Sequence, residues 1–127
     1  MAKPLALSGY QNTDNWFQSL QRKFNELASF RAYVLQSPAT GFSYPIPDQI
    51  GNLIITPAGG LATGTVILPA NVGDGFKVII VSTQAVASLT LSANSGQSLS
   101  GATTALTANV AVEYIYSAET LTWYKLR

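Results

Sequence analysis

A chain of 127 residues can bury one substantial core without metal or disulfide staples, so a single domain with a short appendage is expected. It contains no cysteine and no histidine, which excludes a disulfide framework, thiolate metal sites, cysteine nucleophiles and imidazole acid–base chemistry. The formal net charge of +1 supplies no field to gather nucleic acid or an anionic membrane, and only 10% of residues are charged, against roughly 25% in ordinary globular domains. So charge-poor a surface points to a particle component largely covered by neighbours.

Met1 to Tyr10 lacks the basic flank and apolar core of a secretory signal, so the product is expected to be made and kept in the cytoplasm until assembly or lysis. From Thr13 to Gln36 the chain has neither Gly nor Pro and reads as one helix of roughly six turns. Thr13 or Asn15 is a suitable N-cap, Asp14 complements the positive end of the dipole, and Pro38 stops the helix. Phe17, Leu20, Phe24, Leu27 and Val34 form a stripe at helical spacing that Arg31 interrupts. The stripe fits either a short parallel coiled coil between subunits or packing on the chain's own β domain. Trp16, Phe30 and Tyr33 widen it beyond a two-helix seam. The adjacent Arg22 and Lys23 are suited to a carboxylate or phosphate on a partner, although such a pair is commonly a solvated face.

Residues 37–49, SPATGFSYPIPDQ, hold three prolines and read as an extended arm laid over a surface. Phe42 and Tyr44 would be wasted in a solvated linker, so they are expected to dock on some surface, with a partner's as the candidate. The partner-facing residues expected from sequence are therefore Trp16, Phe17, Leu20, Arg22, Lys23, Phe24, Leu27, Phe42 and Tyr44.

After Gln49, short runs of β-branched and aromatic residues alternate with turn formers. Strands are predicted near residues 53–56, 65–68, 76–82, 88–92, 105–107, 110–117 and 121–126. Turns are predicted at 57–60, 71–75, 94–97 and 118–120. The regular spacing predicts a mainly β fold, an antiparallel β-sandwich or jelly roll over residues 50–127, preceded by an N-terminal helix and Pro-rich arm over 1–49. The strand around Phe76 to Val81 is apolar on both faces, so its second face needs a cover. The uncharged stretch between Lys77 and Glu113 is broken by Ser, Thr, Asn, Gln and Gly, and its longest apolar run, residues 78–81, is too short for a membrane span.

Catalytic chemistry finds no constellation. Ser95-Gly96 lacks a base and a nucleophile elbow, and Asp48, Asp74, Glu113 and Glu119 are scattered without forming an acid–base pair. Asp74 between two glycines reads as a tight turn in place of a calcium loop. A non-enzyme with no cofactor and no metal is expected. The aromatic residues are candidates for interfaces or sugar stacking, but a nucleic-acid platform would need a basic groove beside them.

The segments PAGGLATGTVILP (57–69), Asp74-Gly75, residues 82–97 and YIYSAETLTWYKL (114–126) together resemble a β module of tailed-bacteriophage virion proteins. The resemblance implies a non-enzymatic virion role, like head-decoration domains and modules of fibres or spikes, often trimeric. The chain has one module and a short arm, so a capsid decoration or cement protein that binds the major capsid protein or other virion proteins is expected. A small tail or fibre component, with a glycan-binding tip, is the alternative, and an unrelated soluble binding module is a third class.

Overall fold

The structure, a computed structural model, describes residues 16–20 and 31–127. The chain divides into two compact units at Phe30/Arg31. In the first, residues 16–20 are helical and exposed. The second consists of nine strands: β1 (Arg31–Gln36), β2 (Phe42–Pro45), β3 (Ile50–Thr56), β4 (Leu61–Ile67), β5 (Lys77–Ser82), β6 (Val86–Ser92), β7 (Ser98–Ser100), β8 (Val112–Ser117) and β9 (Thr122–Lys125).

The pairing overturns the antiparallel sandwich or jelly roll. β1 pairs parallel with β3, and β3 parallel with β5. β2 pairs parallel with β4, and β4 parallel with β6. The chain therefore steps from one sheet to the other and back, winding a β-solenoid of about four turns. Three of the four predicted turns, 57–60, 71–75 and 94–97, are corners that carry the chain from one sheet to the other, whereas 118–120 closes the β8–β9 hairpin as expected. Three rungs are the pairs β1–β2, β3–β4 and β5–β6. The last turn is irregular and holds β7 and the hairpin β8–β9.

Two further expectations are corrected on the way. The helix predicted to run to Gln36 gives way to strand β1, whose Ala-Tyr-Val-Leu run suits a pleated surface as well as a helix. The Pro-rich arm contains β2, a rung strand whose Phe42 and Tyr44 face inward and pack on the core. Its prolines are compatible with this because β2 is an edge strand.

Alternation within each strand sends every second side chain between the sheets. Leu53 and Ile55 of β3, Val66 of β4, Val78 and Ile80 of β5, and Leu89 and Leu91 of β6 meet there, each almost without exposure. Such side chains stabilise by about 1.5–3 kcal/mol each when fully buried, and this dry layer holds the rungs together. Tyr116 and Trp123 close the core at the C-terminal end, with ring centroids 5.2 Å apart.

The C-terminal side of both sheets is sealed by reversed chain direction. β8 runs antiparallel to β5. Leu106 bridges Val86 antiparallel, and Leu89 N donates to Thr104 O at 2.8 Å, so this segment lines the outer side of β6. Tyr114 fixes the crossing segment from within: its hydroxyl donates to Gly101 O at 2.7 Å and accepts from Thr103 N at 2.9 Å.

Candidate functional site

Asp48, Asp74 and Glu113 each make a structural contact. Asp48 Oδ1 accepts from Ala70 N and Asn71 N, both at 3.1 Å, which ties the loop before β3 to the loop after β4. Asp74 Oδ1 accepts from Ala118 N at 2.9 Å, locking the turn before β5 onto the tip of the β8–β9 hairpin. Glu113 pairs with Arg127 at 3.0 Å. Among the described residues no three acidic side chains converge on a possible metal position. No helix among them is long and apolar enough to cross a membrane.

The candidate site is therefore surface, and the solenoid presents two dissimilar outer faces. On the larger sheet Val34, Ile54 and Val81 align in register across β1, β3 and β5. Ile79 lies beside them on β5, and Ile115 aligns with Lys77 and Tyr124 across β5, β8 and β9. This is the second apolar face that the Phe76–Val81 run implied. Ile54, Ile79, Val81 and Ile115 are half-buried, whereas Val34 is 41% exposed.

The outer face of the smaller sheet carries hydroxyls instead. Ser43, Thr65 and Thr90 stand in one row across β2, β4 and β6, and Thr63 and Ser88 in the next. Thr40 extends that second row, its Oγ1 accepting from Thr63 N at 3.1 Å. Hydroxyl rows satisfy water without charge, which is how a chain this poor in charge keeps a solvated side.

The third surface is the first rung. Tyr33 and Tyr44 stack with centroids 5.1 Å apart and planes 6° from parallel. Desolvation, and secondarily the neighbouring Tyr33, raises the Tyr44 hydroxyl above the usual tyrosine range. Phe42 beside them covers Gly64 of the next rung, where a Cβ would stand 2.2 Å from the ring.

Trp16, Phe17 and Leu20 are exposed on residues 16–20. Arg22, Lys23, Phe24 and Leu27 lie outside the described residues. Phe42 and Tyr44 turn into the solenoid core. Sequence reasoning missed Tyr33 and Val34 as residues of an edge strand. The signal available was the β-branched and aromatic run at Ala32–Leu35, set just before a proline-rich segment.

No family model and no curated protein matches the chain. Among solved structures, a chaperone–substrate complex superposes with a TM-score of 0.43 at 18% identity over 76% of this chain. The chain spans 17% of the length of that protein, and the likeness is too slight to carry fold or function.

Proposed function

We propose that the chain is a non-catalytic structural module of a tailed-bacteriophage particle, a homo-oligomeric component of the tail or fibre that binds other virion proteins. The observation that carries this reading is the placement of residues 37–49. In the cement reading they form, with the N-terminal helix, an arm that contacts neighbouring shell subunits, whereas β2 within them forms part of the solenoid's first rung. What is left is a stack of rungs along one axis, stiffened by a continuous core, with one apolar and one hydroxyl-covered outer face. Such a body suits an element built in series with others better than a clamp across a seam.

The resemblance of residues 57–69, 82–97 and 114–126 to virion modules supports the particle assignment. Copy number per purified particle, measured by mass spectrometry against the major shell protein, tests the reading. A few to a few dozen copies are expected. Hundreds would return the chain to the capsid surface as a cement protein, and absence from the particle would overturn the virion assignment.

A further inference from the structure

Four strand edges bound the solenoid, and three are blunted. β7 is three residues long, and β6 is lined by the antiparallel segment at Leu106. β2 carries Pro45, and Ile46 N donates to Ile67 O on the β4 side. Strand alternation then places Pro45, which has no N–H, on the outer side of β2. Very short strands, prolines and covering segments are how sheets prevent edge pairing.

Among the described residues none of these devices protects β1. It is six residues long and ends the larger sheet, with no strand beyond it among the described residues. Ser37 N donates to Thr56 O, so alternation turns Tyr33 and Leu35 toward β3 and the amides of Val34 and Gln36 onto the open edge. Residues 32–35 are uncharged, and Tyr33 and Val34 are each 41% exposed.

We infer that β1 is a self-association edge, pairing antiparallel with β1 of a second copy about a two-fold axis at Val34. Three features select a second copy in this direction. First, centring on Val34 keeps the faces matched: Val34 meets the partner copy's Val34 on the outside, and Tyr33 meets Leu35 on the inside. Second, the antiparallel direction separates the two Arg31 side chains by roughly 20 Å along the strands, whereas a parallel pairing in register would set them directly opposite. Third, the apolar row Val34, Ile54, Val81 continues through the axis into the same row of the second copy, so the pairing lengthens one apolar face without interrupting it. Because the edge complements itself, the assembly closes as a dimer, in place of the trimer expected from the sequence. The inference refines the homo-oligomer part of the proposed function and does not depend on the particle assignment.

The test uses the full chain, which has no cysteine of its own. Sedimentation should give a dimer mass. Val34→Cys should cross-link to itself on oxidation, because directly opposed residues of an antiparallel pair stand about 5.5 Å apart, within disulfide reach. Ile54→Cys should not, since three strand spacings, roughly 14 Å, would separate the two sulfur-bearing strands. Val34→Pro removes both hydrogen bonds exchanged at the axis and should weaken the dimer on the order of tenfold or more, with β1 still paired to β3. A monomer that gives no Val34→Cys cross-link would overturn the inference, whatever else covers β1. Cross-linking of Ile54→Cys as efficient as that of Val34→Cys would overturn it too, by showing face-to-face packing. The cross-linking arm decides even if Val34→Pro fails to fold, and the particle copy number stands apart from both.

Discussion

The ring of Phe42 lies so close over Gly64 that a methyl group at position 64 would stand 2.2 Å from Cε1. This contact joins the first rung to the second, since Phe42 and Gly64 are register partners across β2 and β4. Gly64→Ala should therefore push Phe42 off the core, with an overpacking cost of about 1–3 kcal/mol. Phe42→Ala should also lower stability, because the ring packs on the core and is not a free anchor. Urea unfolding of the two single variants and the double variant checks this. Gly64→Ala should cost clearly less in the Phe42→Ala background, and additive losses would show that the contact is not the cause.

Tyr114 serves three groups at once: it donates to Gly101 O, accepts from Thr103 N, and stands 2.6 Å from Thr103 Oγ1. All of this lies in the segment that crosses the closed end of the solenoid. Tyr114→Phe keeps the buried ring but strands these partners, at a cost of about 1–3 kcal/mol. Amide exchange should report the loss locally, with faster exchange at Thr103 than in β3 or β5.

The positions of most strands were legible because the runs at Leu53–Thr56, Phe76–Ser82, Val110–Ser117 and Leu121–Leu126 are dense in β-formers between turn formers. Their direction was legible only at the end of the chain, where β8 and β9 form the expected antiparallel hairpin. A solenoid is visible in sequence when aligned positions recur at a fixed period. Here the aligned residues are 34, 54 and 81 in one sheet and 43, 65 and 90 in the other, so unequal corners erase the period. A corner such as Pro57–Gly60 uses the same residue types as a hairpin turn, and local chemistry does not distinguish them. The aromatic side chains of the Pro-rich segment were rightly expected to dock, but the surface they meet belongs to their own solenoid.

Tyr44 gives a pH prediction. Its hydroxyl ionises later in the folded protein than in the unfolded chain, through desolvation first and the adjacent Tyr33 second. The associated stability is fully present below the unfolded value, near pH 10, and is lost as pH rises through the higher folded value. Ultraviolet titration of the protein and of Tyr44→Phe should differ by one late-ionising tyrosine. Tyr33→Phe should bring it only partly back toward the usual range, because burial is the larger cause. A full return would assign the shift to the ring pair instead.

Leu121 holds a left-handed backbone at φ 52° with its side chain about half exposed, at the end of the turn between β8 and β9. The turn needs that conformation, because it lets Leu121 O accept from Ser98 N at 2.9 Å and so joins β7 to the hairpin. A half-exposed leucine gains only part of its burial energy there and bears the steric cost of its Cβ against the following carbonyl, about 1–2 kcal/mol. Asparagine tolerates the same dihedral angles through its short polar side chain. Leu121→Asn should therefore raise the urea midpoint without altering its slope, in contrast to the losses expected at Gly64 and Tyr114. An unchanged or lowered midpoint would mean that the exposed leucine is held by a contact on its outer side, and that this corner is part of an interface.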